Sequence, residues 1–531
     1  MDLLRISFEI PIEKDGIEEY VKAASAVLGI DEEGITIVKI LSKSLDISNK
    51  DQFFYRLSVV VGTAGGVQNT RNFPVYPEEA KEEVKTADGG DRPIIVGFGP
   101  AGMFAALRFI DYGIKPIIFE RGKRIEERCR DVQQLIDMGE INPESNIQFG
   151  EGGAGSYSDG KLFSRRDNNS SSANKVLNTF IKFGAPEQIG YIGKPHLGTD
   201  VLCKIVRNIR NYILEHGGEI HFESKMTDIL ITEGAAAGIV INGRQEFLST
   251  RIYIALGNSA RDTFEMMHEK GIALEQKPIC VGARIEHPAE TINLMRYGTK
   301  YKDFPGLGAA TYSLNHTNRK IRRGVYTFCM CPGGEVINAS SEQGLMVLNG
   351  MSYASRSSVF SNAALVVPCH TGDYPSASPL AGFEFQRDIE KSAFSAGQGC
   401  WRAPAQNLMD FLGESHSAQL NENSYRMGTA PADMKEILPG FVVDALLAAF
   451  ETWKRDFPLF VSDQAILLGV ETRTSSPVRI TRDDRYESIR IRNIYPLGEG
   501  SGYAGGITSS AADAIKAVEL HMSSRLQDGT S

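Results

Sequence analysis

Residues 93–122 read "PIIVGFGPAGMFAALRFIDYGIKPIIFERG", and this stretch decides the fold. "PIIVG" is a short apolar run of the kind that forms a fully buried parallel strand. "AGMFAALRFIDYG" carries apolar residues at helical spacing and stops at Gly113. "KPIIFE" is a second buried strand. Strand, helix and strand within about 30 residues make a βαβ unit. Between the first strand and the helix lies Gly97-Phe98-Gly99-Pro100-Ala101-Gly102, a GxGxxG run in the context that dinucleotide binding requires. Gly97 permits the tight turn, Gly99 lets a diphosphate approach the backbone, and Gly102 allows close helix–strand packing. The helix start at Pro100 and Ala101 offers N–H groups and the positive end of a dipole to the diphosphate. Glu120 closes the second strand, where a carboxylate takes ribose hydroxyls, and Arg121 follows it. An acid at that place favours FAD or NAD over NADP. The plain alternative is a tight turn that binds nothing.

The rest of the chain chooses between FAD and NAD. After the βαβ unit comes "FGEGGAGSYSDGKLFSR", residues 149–165, rather than further βα repeats. Its glycines, Gly153 among them, suit a backbone threading past a flat ligand. Ser158 and Lys161 suit hydrogen bonding to a polar edge. "STRIYIALGNSARD", residues 249–262, reads as a strand ending at Gly257, where a cofactor or backbone lies close. Near the end, "YPLGEGSGYAGGITSSAADAIKAVE", residues 495–519, runs from a strand through a glycine loop into a helix. It resembles the late Gly-Asp strand of glutathione-reductase-like FAD proteins, with Gly498 and with Glu499 in place of Asp. That resemblance puts Glu499 on the ribitol chain. It sets the helix start at Gly506, Ile507 and Thr508 against the flavin pyrimidine, where a dipole stabilises negative charge.

The remaining pattern gives the domain plan. Residues 1–75 read as a small ferredoxin-like βαββ module, with strands at "LLRISFEIPI", "ITIVKILSKSLDI" and "QFFYRLSVVVG" around a helix at "IEEYVKAASAVLGI". Residues 76–92 read as a linker. The fold class is α/β. A discontinuous Rossmann-type FAD-binding domain in three layers (residues 93–270 and 463–525) carries an inserted α+β substrate domain (residues 271–462).

Bulk properties exclude several classes. The chain has 531 residues and a net charge of −9, which argues against a general nucleic-acid binder or a basic membrane-surface protein. No apolar run reaches the roughly 18 residues of a membrane span, and the first 15 residues lack a signal-peptide core. Seven cysteines, an odd number without any CxxC, read as reduced thiols. The expected location is cytoplasmic. No set of His and Cys has metal-ligand spacing, so no metal is expected.

The ordered set "VGFGPAGMFAAL", "EGGAGSYSDGKLFSR", "VGARIEHP", "CMCPGGEVINASSE", "YASRSSVFSNAALVV", "GVETRTSSPVRI" and "YPLGEGSGYAGGITSSAADAI" resembles the bacterial FAD-dependent, or NAD(FAD)-utilising, dehydrogenase family. The resemblance implies FAD binding and a Rossmann domain with an inserted second domain; it implies no particular substrate, and the FAD is expected to be noncovalent. Two residues stand out as candidates for catalysis. Cys331, in "TFCMCPGG", sits at the mouth of a turn and could lie beside the flavin. Its neighbour Cys329 would share its face if the segment is a regular strand, a poor arrangement for a disulfide. His287, in "RIEHP", could act as an acid or base toward substrate. Arg284 and Glu286 read as a salt bridge, and Arg473 as an ion pair or an anion ligand. No second GxGxxG has the right context, so any NAD(P)H would bind transiently as a reductant. The reading is an FAD-dependent dehydrogenase acting on a small molecule. Its alternatives are an NAD(P)H-fed flavin monooxygenase or reductase, and a non-catalytic FAD-binding or RNA-associated protein.

Overall fold

A computed structural model describes residues 2–63, 73, 74, 76, 91–162, 171–318 and 323–528. Most of the expected linker at 76–92 lies outside the described residues. The leading module is β1 (Asp2–Pro11), α1 (Ile17–Leu28), β2 (Ile35–Asp46) and β3 (Phe54–Thr63). Its antiparallel sheet has the order β1-β3-β2. Leu4, Ile6 and Ile10 of β1 and Leu57, Val59 and Val61 of β3 alternate inward. They meet Tyr20, Ala24 and Leu28, which recur every four residues on one face of α1.

Next come β4 (Ile94–Val96), α2 (Pro100–Asp111), β5 (Ile117–Phe119), α3 (Ile125–Met138), α4 (Ser171–Lys182), α5 (Thr199–Glu215), β6 (Glu219–His221), β7 (Met226–Thr232), β8 (Ala235–Ile241), β9 (Gln245–Leu248) and β10 (Ile252–Ile254). The run "IHFESKMTDILIT", which reads as one strand-like stretch, is two strands. Glu223 adopts φ +52° and its amide donates to Gly122 O, so the chain turns from β6 into a different sheet at β7.

The middle of the chain holds α6 (Arg261–Glu269), β11 (Leu274–Gln276), β12 (Ile279–Pro288), α7 (Ala289–Tyr301), β13 (Asn315–Asn318), β14 (Arg323–Cys331), β15 (Glu335–Asn338), β16 (Leu348–Met351), β17 (Phe360–Cys369), α8 (Ala381–Ala396), β18 (Ala403–Asn407), α9 (Leu408–Phe411), β19 (Thr429–Pro431), α10 (Met434–Ile437) and α11 (Gly440–Asp456). The chain ends with β20 (Ile466–Glu471), β21 (Val478–Ile480), β22 (Ile494–Pro496) and α12 (Ile507–Asp528). A seven-stranded mixed sheet runs β13-β14-β17-β12-β20-β18-β19. Its apolar face is closed by α11 through Val442, Leu446, Phe450 and Trp453.

The fold is α/β, and the sheet that organises the site is parallel, with five strands in the order β6-β5-β4-β10-β22. Its short strands are buried on both faces. Ile95, Ile118 and Tyr253 point toward α2, α5 and α12. Ile94, Val96, Phe119, Ile252 and Ile254 point the other way, toward the antiparallel β7-β8-β9 sheet. Two-sided burial is why these strands read as continuous apolar runs. Chain order reverses between β4 and β10, so a crevice opens at the carboxyl ends of those strands.

The first glycine loop depends on two bare backbones. Gly97 has φ +100°, and a Cβ there would lie 2.3 Å from Ala255 O. A Cβ on Gly102 would lie 1.9 Å from Gly97 O, so α2 could not start so close to β4. Gly102→Ala is therefore expected to destabilise the protein by about 1–3 kcal/mol, the usual range for forced overpacking. Urea unfolding followed by far-UV circular dichroism measures it, and an unchanged midpoint would show that the turn relaxes freely.

Candidate functional site

A cavity of about 940 Å³ occupies the crevice at the carboxyl edge of the parallel sheet. Every segment singled out as a cofactor loop reaches its wall. Gly97, Gly99, Pro100 and Ala101 line it from the first loop, Glu120 and Arg121 from the end of β5, and Gly153, Ser158 and Lys161 from the second loop. Gly257 follows β10, Glu499 follows β22, and Gly506, Ile507 and Thr508 stand at the start of α12. Gly102 and Gly498 are not on the wall. They lie behind it, Gly102 against Gly97 O and Gly498 against the Ala101 methyl. The opposite wall comes from the seven-stranded sheet, through Tyr326, Cys329 and Met330 of β14, Cys280 of β12 and Glu471 of β20.

Glu120 ties the loops together. Its Oε2 accepts from Phe98 N at 2.8 Å, and its Oε1 accepts from Gly122 N and Gly150 N, each at 2.9 Å. A carboxylate has about four acceptor positions, so one remains for a ligand hydroxyl. Arg128, on α3, completes the second loop, and sequence reasoning missed it. Its guanidinium is fully buried and has no carboxylate partner among the described residues. It donates to the carbonyls of Asn146 (2.8 Å), Ile147 (2.9 Å), Glu151 (2.7 Å) and Gly153 (3.0 Å). Burial lowers its pKa. One planar fork thus holds the backbone of residues 146–153 in a fixed curve.

Several expected ligand contacts are occupied within the chain. Arg121 donates to both oxygens of Asp262 at 3.0 and 3.1 Å and to Glu144 at 2.8 Å, and its guanidinium lies 3.9 Å above the Phe149 ring. It shapes the wall rather than offering a free charge. The Ser158 hydroxyl donates to Gly155 O and accepts from Gly160 N, so it holds the loop. Lys161 donates to Met330 O and pairs with Asp159 at 3.2 Å, joining the second loop to β14. Thr508 Oγ1 donates to Leu162 O at 2.7 Å, which anchors the start of α12 to the same loop.

Glu499 faces the cavity and accepts from Asn258 Nδ2 at 3.0 Å. Burial lifts its pKa to about 7. Glu471 is buried, lines the cavity and pairs with the fully buried Arg284 at 2.5 Å. Burial, opposed by Arg284, leaves Glu471 near 7 as well. Arg284 is therefore paired across the sheet to Glu471 and not to Glu286, which accepts instead from the amide and hydroxyl of Ser424. Arg473 is an ion pair, as one of its two readings has it. With Arg261 it grips the buried carboxylate of Glu390, which the two guanidinium groups bring down to about 2 against the effect of burial.

The structure displaces both catalytic candidates. His287 is buried away from the cavity: its Nε2 meets Phe460 O at 2.8 Å, its ring packs 4.9 Å from Phe460, and burial lowers its pKa to about 4. Cys331 is fully buried behind the wall, and Cys329 takes its place on the cavity. The cause is a β-bulge between Phe328 and Cys331, with Cys329 at φ +43°. A regular strand pattern cannot show such a bulge.

Residues 278–474 match a family model described as FAD-dependent protein, C-terminal domain-like. An uncharacterized protein of Clostridium beijerinckii is 42% identical over 501 residues, covering 93% of both chains. The chain belongs to that protein's family. Among solved structures, glycerol-3-phosphate dehydrogenase from Bacillus halodurans complexed with FAD is 9% identical, covering 83% of this chain and 65% of its own, with a TM-score of 0.36. A geranylgeranyl bacteriochlorophyll reductase-like protein from Thermoplasma acidophilum is 10% identical, covering 84% and 80%, with a TM-score of 0.35. Scores this low leave function to the residues. No helix among the described residues is long and apolar enough to cross a membrane.

Two expectations follow from the site. Glu120→Gln replaces one carboxylate oxygen with an N–H donor facing a backbone amide, so stability should fall by about 1.5–3 kcal/mol. Chemical denaturation checks it, and an unchanged stability would remove Glu120 as the tie. For Glu499 the folded pKa lies above the ordinary value of 4.5. Its stabilising contribution is thus complete below about pH 4.5 and is lost as pH rises through about 7. Compared with Glu499→Gln, the wild type should lose on the order of 1–3 kcal/mol between pH 5 and pH 8. A difference that does not vary with pH would contradict this.

Proposed function

We propose that the chain is an FAD-dependent oxidoreductase that holds its FAD noncovalently in this cavity and transfers hydride to or from a small molecule. The observation that carries the reading is the convergence of three glycine segments, from β4–α2, β10 and β22–α12, on one cavity at a topological switch point. In this reading residues 93–270 and 463–525 form the FAD-binding domain, and residues 271–462 form the substrate domain.

The residues present fit an extended dinucleotide with two different ends. The start of α2, with Pro100 at its first position, presents N–H groups to a diphosphate and needs no cationic side chain. The remaining acceptor position of Glu120 meets a ribose hydroxyl. Glu499, held by Asn258, takes the ribitol hydroxyls, and the N-terminal end of α12 faces the ring where negative charge gathers on reduction. Bound there, FAD would supply two-electron redox chemistry at its ring. The protein's part is to hold the ring between the Gly153–Lys161 loop and β14 and to exclude water. With its pKa near 7, Glu499 can accept or donate a proton at neutral pH.

The FAD-dependent family whose model residues 278–474 match supports the cofactor. The acidic net charge supports a small-molecule partner over a nucleic acid. Glu499→Ala should weaken FAD binding by about 1–3 kcal/mol, or roughly 5- to 150-fold, in a fluorescence titration of apoprotein; an unchanged affinity would take Glu499 out of the site. In the FAD-loaded protein, dithionite should bleach the flavin bands while NADH and NADPH act slowly. Rapid anaerobic bleaching by either nucleotide would replace the dehydrogenase reading with the NAD(P)H-fed one.

A further inference from the structure

On the β14 side of the cavity the bulge produces an unusual pair of thiols. Cys329, partly exposed, forms part of the wall. Cys331 stands directly behind it with no solvent exposure. Cys331 Sγ donates to Cys329 O at 3.3 Å, which turns the Cys331 thiol back toward Cys329. A regular strand would hold residues two apart too far from each other for such contact. Here one extra residue opposes β17, and Cys329 occupies the left-handed region, which a non-glycine side chain seldom adopts. Strain of this kind persists where the surrounding structure imposes it, and it concentrates at functional sites.

The surroundings are ionic, with Arg284 paired to Glu471 and Lys161 to Asp159. Arg284 Nη2 donates to Cys329 O at 3.0 Å and lies 3.8 Å from Cys331 Sγ. Lys161 Nζ bonds to the carbonyl of Met330, between the two cysteines. The Cys331 thiol first, and then these two cations, hold the Cys329 thiol well below its ordinary pKa against the effect of burial, while the neighbouring Cys329 thiol and burial push Cys331 up. An attacking thiolate and a protonated partner behind it is the division of labour that thiol–disulfide exchange uses. A second feature points to a ligand at this place. Tyr312 lines the same cavity and is only 6% exposed, and its buried hydroxyl has no hydrogen-bond partner among the described residues.

We propose that Cys329 and Cys331 form a redox-active thiol pair that exchanges with a small disulfide entering the cavity, Cys329 attacking and Cys331 resolving. The Cys329 thiolate attacks one sulfur of the substrate. A Cys329–sulfur bond forms, the substrate S–S bond breaks, and the first half leaves as a thiolate. Cys331 then attacks Cys329 Sγ, its proton passing to a departing thiolate. The 329–331 S–S bond forms and the second half is released. The two cysteines lose two electrons and the substrate gains them. The inference rests on the proposed function only in taking this cavity as the reaction site, and it names the substrate class.

The test is incubation of the full-length protein with glutathione disulfide, with and without FAD, followed by tryptic mapping. Cleavage after Arg323 and Arg356 yields one peptide, residues 324–356, that carries both thiols and no other cysteine. The wild-type peptide should acquire an internal disulfide and retain no glutathione. Cys331→Ser should instead trap glutathione on Cys329, and Cys329→Ser should leave Cys331 unmodified. The exposed thiol of Cys400 reports ordinary reactivity in the same sample. The proposal is overturned if the wild-type peptide stays reduced while Cys400 reacts, or if it keeps a glutathionyl group unresolved. Failure to take up FAD would strike the proposed function and leave this result standing, because the exchange itself needs no flavin.

Discussion

Three backbone amides converge on the carboxylate of Glu120, and the shape of the site follows from that convergence. The amide of Phe98 belongs to the first glycine loop, that of Gly122 to the turn after β5, and that of Gly150 to the second glycine loop. Such loops have little side-chain packing to define them, and hydrogen bonds to an ion are among the stronger polar contacts available. Arg128 does the complementary work with donors, fixing five carbonyls between Asn146 and Gly153 from beneath. An anion and a cation that are not paired with each other thus hold opposite halves of the peptide groups around the cavity. Both charges are satisfied by backbone dipoles, which answers the cost of burying them.

The cavity wall then divides by chemistry. The parallel-sheet side joins bare glycine backbone to two carboxylates, Glu120 and Glu499. The seven-stranded side is rich in ionisable groups, with Cys329, Arg284 and Glu471 within reach of one another. Lys161 and Thr508 bridge the two sides through Met330 O and Leu162 O. The second loop is therefore the joint between the parallel-sheet side and the seven-stranded side of the cavity.

Local features were legible in the sequence and long-range ones were not. The βαβ unit, the turn at Gly97 and the helix stop at Gly113 depend on neighbours within 30 residues. The helix beginning near Gly506 was legible for the same reason. Arg128 was hidden because an arginine on an amphipathic helix normally faces water, and nothing local shows that a glycine loop will close over it. The partner of Arg284 was misread because strand alternation points to Glu286, whereas Glu471 lies 187 residues away on the adjacent strand. Alternation also placed Cys329 and Cys331 on one face. The bulge in β14 puts Cys329 rather than Cys331 on the cavity wall, and His287 lies in the core.

The central claim is that these glycine segments serve a single FAD molecule. The most direct measurement is the stoichiometry of bound flavin. Purified protein is incubated with excess FAD, passed through gel filtration, and its flavin absorbance is compared with its protein concentration. The account predicts one FAD per chain, released intact on denaturation as expected for noncovalent binding. Protein that emerges colourless, after incubation with FAD at concentrations well above micromolar, would contradict it.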